Sequence, residues 1–272
     1  MGSTYELGII GAGNMAEGIL AAVITEKLYA PNRVIVGDPV ADRLKLFADQ
    51  FGVDVAENNL EVVSESKSIL LAIKPQAFTE IAAPLRSAVT DEHLLISIMA
   101  GMSTAKIAAA FPGIATRVVR VMPNLPIRVG AGMAGICGGV HATPQDVHDT
   151  QAMFDAGGSS VVVDDESLMD VVTAVSGSGP AYFYYFVEQI VAGAVANGMS
   201  EADAMKLAQH TCLGAAKMML ESDESPATLR AKVTSKGGTT QAALEHMDKS
   251  KVPDALQGAI QAAVDRGREL GS

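Results

Sequence analysis

A chain of 272 residues with 49% hydrophobic and 19% charged side chains has room for two ordinary domains and is too apolar to be disordered. Its net charge of −11 and pI near 4.9 argue against nucleic acid or an anionic membrane surface as a partner. An anionic ligand must then be held by local donors.

The five histidines are scattered without ligand spacing, so no metal site is expected. Cys137 and Cys212 each sit in an apolar setting and read as buried, reduced thiols of a cytoplasmic protein. No secretory signal is expected, since the first apolar run is short and ends in glycines. Met1-Gly2 could open a myristoylation signal, but Glu6 stands where that signal needs Ser or Thr. The most apolar stretch, Ala181 to Ala196, is interrupted by Glu188 and Gln189 and is too short to span a membrane.

Taken in chain order, Leu7-Gly-Ile-Ile10 is a strand-like run that ends in Gly11-Ala-Gly13 and leads into a helical pattern from Asn14 to Lys27. Gly11-x-Gly13, with Ala16 at the third glycine position, is the first part of a dinucleotide fingerprint. Val34-Ile-Val36 is the next strand and stops at Gly37-Asp38-Pro39. Asp38 lies where the fingerprint places an acid for the ribose hydroxyls. A helix from Asp42 to Phe51 follows, then strands over Ser68-Ile-Leu-Leu-Ala-Ile73, Leu94-Leu-Ile-Ser-Ile98 and Val118-Val-Arg-Val121, with a helix starting near Ser103. Ala72-Ile-Lys-Pro75 ends its strand close to the expected crossover of the sheet, where such folds hold ligands. The front of the chain, residues 1–165, is therefore an α/β, Rossmann-type doubly wound parallel sheet.

From residue 166 to 272 the pattern is helical. Five of the twelve Phe and Tyr residues fall in Tyr182-Phe-Tyr-Tyr-Phe186, and the helices through Ala196 and over Ala204 to Leu220 are apolar on nearly every face. Such helices must be buried, and a domain of ~100 residues has little room for them inside one subunit. The surplus predicts an oligomer interface, with a two-fold homodimer the first choice.

Ser176-Gly-Ser-Gly-Pro180 reads as a turn leading into a helix, with Pro180 in its first turn. Val233-Thr-Ser-Lys-Gly-Gly-Thr-Thr-Gln-Ala-Ala-Leu244 packs four hydroxyls around two glycines and opens into a helix. Its plain reading is a Ser/Thr/Gly turn with a threonine N-cap. Its functional reading is a receptor for a small carboxylate, with a hydroxyl left for a second polar atom.

The last two blocks, with Arg120-Val-Met-Pro-Asn-Leu-Pro126 and Gly11-Ala-Gly-Asn-Met15, resemble the motifs of pyrroline-5-carboxylate reductase, in that family's order and over nearly the whole chain. The resemblance implies reduction of 1-pyrroline-5-carboxylate to L-proline by a nicotinamide cofactor. It implies helices that interlock as a dimer, with rings of dimers possible in the family. Cofactor contacts are implied at Ile10, Gly11, Ala12, Gly13, Asn14, Met15, Asp38, Asn59, Ala72, Ile73, Lys74, Pro75, Ile98, Met99 and Ala100. Met99 replaces the family's usual Ala, which predicts a tighter wall to the nicotinamide pocket. Glu166 matches an acidic position that contacts substrate. Ser235, Gly238 and Thr239 are expected to hold the substrate carboxylate, and Thr240 to be the catalytic hydroxyl at the ring nitrogen. Lys236 departs from the family's usual proline.

The family more often uses NADPH, whereas Asp38 favours NADH, because its carboxylate would face a 2′-phosphate as a like charge. Arg43 could offset that charge, although a helix-surface arginine is the preferred reading. A β-hydroxyacid dehydrogenase is the rival enzyme, but its general-acid lysine has no counterpart between Gly177 and Lys206. A silent scaffold with the same fold is the rival of another kind.

Overall fold

The computed structural model describes residues 4–271; Met1-Gly2 lies outside them. Its centre is an eight-stranded sheet in the order β3-β2-β1-β4-β5-β6-β7-β8. The strands are β1 (Tyr5–Ile10), β2 (Val34–Gly37), β3 (Asp54–Val55), β4 (Ser66–Leu71), β5 (Leu94–Ser97), β6 (Arg117–Met122), β7 (Gly132–Gly138) and β8 (Gly158–Val162). All neighbours are parallel except β6 and β7. The order reverses between β1 and β4, the switch point at which doubly wound sheets bind ligands.

Strand alternation builds two cores. Leu7, Ile9, Leu70, Ile96, Val119 and Val121 face one side, with Ile19, Leu20 and Val23 of α1 (Asn14–Thr25), Phe47 of α2 (Ala41–Phe51) and Met153 and Phe154 of α6 (Pro144–Asp155). Ile10, Ile69, Leu71, Leu95 and Val118 face the other. They pack with α3 (Asn59–Glu65), α4 (Phe78–Leu85) and α5 (Thr104–Ala109). Each such side chain contributes roughly 1.5–3 kcal/mol on full burial. Both faces are covered, as a parallel sheet requires.

The structure adds three strands that the sequence pattern did not announce: β3, β7 and β8. β3 has only two residues. β7 is glycine-rich and lacks a β-branched run. A Cβ at Gly135 would come within 2.4 Å of Val172, so glycine is what lets α7 (Met169–Val172) lie on this strand. The segment read as a turn before Pro180 is instead a π-helical stretch, Thr173–Gly177, which runs from α7 almost into α8 (Gly179–Ala196). In it Ser178 N donates to Thr173 O at 2.8 Å.

By compactness the chain forms one unit of residues 4–178 with 263–271, and a second of residues 179–262. Composition changes earlier, at 165/166. Residues 166–178 belong to the first unit because α7 and the π-helical stretch pack on β7. The second unit contains α8, α9 (Glu201–Glu221), α10 (Pro226–Lys232), α11 (Thr239–Lys249) and the start of α12 (Val252–Gly271). Its core is small: Val191, Ala204 and Ala208 are buried, while Phe183 is 59% and Ile190 58% exposed. The apolar faces of α8 and α9 are thus uncovered within one chain. Among the described residues no helix is long and apolar enough to cross a membrane.

Candidate active site

At the C-terminal edge of the sheet, backbone bonds join the strand ends. Gly11 N donates to Gly37 O (2.8 Å), Ala72 N to Ile10 O (2.9 Å) and Ile98 N to Leu71 O (3.2 Å). Gly11 has φ +101°, and a Cβ there would lie 2.5 Å from Ala72 O, so only glycine allows β1 to turn this close to β4. Gly13 is the N-cap of α1 and no side chain caps it. A Cβ built there meets nothing within 4 Å. Open space therefore faces the uncapped N–H groups of α1, an arrangement suited to a phosphate.

Asp38 makes the main side-chain contact to this loop. Its Oδ2 accepts from Ala12 N at 2.7 Å and its Oδ1 from Val40 N at 2.8 Å. Arg43 Nε donates to Ala12 O at 2.5 Å, so both polar groups of Ala12 are held from the β2–α2 segment. Asn59 opens α3 beside Gly37, where a Cβ on the glycine would lie 3.0 Å from Asn59 Oδ1. β4 ends at Leu71, so Ala72 and Ile73 lie beyond it in the connection, with Lys74 exposed before a 3-10 turn begun by Pro75. The first unit thus gathers Ile10 to Met15, Asp38, Asn59, Ala72 to Pro75 and Ile98 to Ala100 along one edge. Met99 differs from expectation in one respect. Its side chain is 2% exposed and belongs to the core around Ile107 and Phe111, so its extra bulk is directed inward.

Glu166 opens a 3-10 turn before α7, and its side chain is only 27% exposed. Its Oε1 accepts from Thr104 N (2.8 Å), its Oε2 from Thr104 Oγ1 (2.7 Å), and Arg120 Nη1 lies 3.3 Å away. Arg120, 7% exposed, also faces Asp170 at 3.8 Å. Arg120, Glu166 and Asp170 line an open cavity of about 340 Å3 with Gly101, Ser103, Ser167, Arg268 and Gly271. Lys106 Nζ donates to Gly271 O there, which fastens the end of α12 to α5. Hydrogen bonds from Ser167 hold the Asp165 carboxyl below its usual range. Arg120 and Asn124 stand within a sequence motif that by itself gives neither a role. Only their distant partners reveal one.

In the second unit, Ser235, Gly238, Thr239 and Thr240 come together where α11 begins. Gly238, and neither threonine, is the N-cap, and it has no side-chain bond. Gly237 has φ +73° and donates to Gln241 Oε1 at 2.7 Å, while Gly238 N donates to Ser235 O at 3.0 Å. Thr234 Oγ1 is engaged with Arg230 O. Ser235, Thr239 and Thr240 make no side-chain hydrogen bond among the described residues. Three hydroxyls without a partner thus lie close in sequence at a helix start that no side chain caps, with Ser235 and Thr239 exposed and Thr240 partly so.

Among the described residues no group of three or more His, Cys, Asp or Glu is placed to hold a metal. Both cysteines are free; Cys137 is buried, which pushes its thiol pKa up, and Cys212 is partly exposed.

A glycine loop at a Rossmann switch point, an acid at the end of β2 and a helical unit with uncovered apolar faces define an NAD(P)-dependent oxidoreductase with a dimerising second half. Comparison with known proteins agrees. The family model "NADP oxidoreductase coenzyme F420-dependent" matches residues 6–101, and "Pyrroline-5-carboxylate reductase dimerisation" matches residues 166–270. Pyrroline-5-carboxylate reductase of Synechocystis is 43% identical over 98% of this chain and 99% of its own. That of Escherichia coli is 33% identical over 97% and 98%. The solved pyrroline-5-carboxylate reductase of Coxiella burnetii superposes with a TM-score of 0.93 at 32% identity, covering 99% of this chain and all of that one. The Plasmodium falciparum enzyme, solved with NADP bound, gives 0.87 at 25% identity with both chains fully covered. The chain belongs to the pyrroline-5-carboxylate reductase family, oxidoreductases of the last step of proline biosynthesis.

Proposed function

We propose that this chain reduces the C=N bond of 1-pyrroline-5-carboxylate to L-proline, with Thr240 as the hydroxyl at the ring nitrogen. The observation that carries this reading is the start of α11, a helix N-terminus without a side-chain cap at which Ser235, Thr239 and Thr240 keep unengaged hydroxyls. In this reading Ser235 and Thr239 receive the substrate carboxylate through O–H and N–H donors, and Gly238, whose own N–H is bonded to Ser235 O, lets the carboxylate approach the backbone. The Thr240 hydroxyl hydrogen-bonds the ring nitrogen and orients the imine. A protonated imine is already a good electrophile, so the loop needs no strong general acid, and its work is orientation and exclusion of water. Glu166 is kept in the substrate set by resemblance. Its bonds to Thr104 and Arg120 support a role in fixing the β5–α5 connection.

Ile10 to Met15, Asn59, Ala72 to Pro75 and Ile98 to Ala100 are the residues that would hold the dinucleotide, and the open space at Gly13 fits its phosphates. When bound, NADH or NADPH supplies the hydride. NADH is placed ahead of NADPH because the Asp38 carboxylate repels a 2′-phosphate. In this reading residues 166–272 are the substrate-binding and dimerisation half of the homodimer, and rings of dimers are the larger assembly. The two free thiols support a cytoplasmic setting.

The direct test is oxidation of the reduced nicotinamide with and without 1-pyrroline-5-carboxylate. No imine-dependent oxidation with either cofactor would defeat the assignment.

A further inference from the structure

Arg43 is the arginine of the β2–α2 segment, the place from which an arginine meets a 2′-phosphate in NADP-binding folds. Here it is held elsewhere. Its Nε donates to Ala12 O at 2.5 Å, its Nη2 to Glu17 Oε2 at 2.7 Å, and its guanidinium carbon lies 5.5 Å from the centre of the Phe47 ring. The Arg43 side chain is 27% exposed and that of Glu17 15%. Glu17 is itself fixed by a second arginine, with Arg128 Nη2 at 3.4 Å from its other oxygen. The remaining cation of α2, Lys45, pairs with Asp49 at 2.6 Å. A charge-assisted bond to a partly buried carboxylate is among the stronger polar contacts; here it offsets the Arg43 charge and, with the bond to Ala12 O, fixes two of its three guanidinium nitrogens.

We propose that Glu17 is a specificity-determining residue. By pairing with Arg43 it offsets and fixes the cation that would otherwise swing to a 2′-phosphate, and among the described residues no salt bridge joins Arg43 to Asp38. This rests on the reading of the β1 loop as the dinucleotide site. Preference between the two cofactors is then set by two acids, one at the end of β2 and one in the first turn of α1. The second acts through the arginine.

The experiment measures calorimetric Kd values of NADH and NADPH for the full-length protein, without imine substrate. It uses wild type, Glu17→Gln, Arg43→Met and the double variant, each checked for an unchanged melting temperature. Glu17→Gln is expected to raise NADPH binding relative to NADH by about five-fold, the scale of one freed ion pair near the surface. Arg43→Met is expected to weaken both cofactors together and leave their ratio within about two-fold of wild type, since the arginine is already withdrawn. The double variant should return to the wild-type ratio. No shift in Glu17→Gln, or an equal shift in the double variant, would overturn the proposal. So would a selective loss of NADPH binding in Arg43→Met, which shows the arginine already on the phosphate. A wild-type preference for NADPH would overturn it as well, because the two acids would then not be setting the ratio. Absence of binding by either cofactor to wild type would instead defeat the dinucleotide reading beneath it.

Discussion

Asn124 Nδ2 donates to the carbonyl oxygen of Ser176 at 3.0 Å, tying the end of β6 to the π-helical stretch before α8. The same side chain accepts from Met133 N at 2.8 Å through Oδ1. One buried amide thus joins two of the four sequence motifs and the start of β7. A π-helical turn needs such support, because it interrupts the regular ladder and leaves carbonyls to be paired from outside.

Asn124→Ala should therefore destabilise the first unit by about 1–3 kcal/mol, since it leaves two part-buried backbone groups unpaired. The measurement is the melting temperature, set beside that of a control substitution at an exposed position, Gln145→Ala. An unaltered melt would show that water replaces both bonds.

Thr240→Val should lower kcat/KM for the imine by ~10-fold to 100-fold, the scale of one lost hydrogen bond near the reacting centre. Thr240 has no side-chain hydrogen-bond partner among the described residues, so the substitution disturbs little else. Full activity in a folded variant would remove Thr240 from the mechanism.

Asp38→Ser separates two roles. The carboxylate holds Ala12 N, so both cofactors should bind less tightly; it also opposes a 2′-phosphate, so the ratio of kcat/KM should move toward NADPH. A discrimination of roughly 1–2 kcal/mol corresponds to about 5-fold to 30-fold. An unchanged ratio would show that Asp38 acts on the loop alone.

The full-length protein should run as a dimer or larger at micromolar concentration by light scattering, and Ile190→Glu should shift it toward monomer. The reason is the apolar face of α8 that a single chain leaves uncovered. A monomeric wild type would refute the interface.

His93 should make stability depend on pH. Burial holds its pKa below the ordinary value of 6.5, and its Nδ1 accepts from Thr90 N at 2.9 Å. The unfolded chain binds the proton more readily, so stability is full above about pH 6.5 and falls as pH drops toward the lowered folded value. His93→Gln should flatten the melting temperature between about pH 7 and pH 5 relative to wild type. An equal slope in both proteins would assign the effect to other groups.

Local pattern carried a large part of this protein. Short apolar runs in Leu7 to Ile10 and Leu94 to Ile98 announced central strands, Gly11 and Gly13 announced the turn at the switch point, and the hydroxyls around Gly237 and Gly238 announced the loop that opens α11. These features are legible because each depends on residues within a few positions of one another. β7 was not, because it is glycine-rich and without a β-branched run, and β8, although it ends in Val161 and Val162, has its place in the sheet fixed only by pairing with β7. The helices of the second unit showed their apolar surplus in composition. Which faces stay uncovered was decided by how few of those side chains pack in one chain. Arg120 with Glu166, Asn124 with Ser176 and Arg43 with Glu17 are separated by 46, 52 and 26 residues. No propensity links such pairs. They exist because the sheet order brings the ends of β6, α7, α1 and α2 side by side, and only folding makes that order.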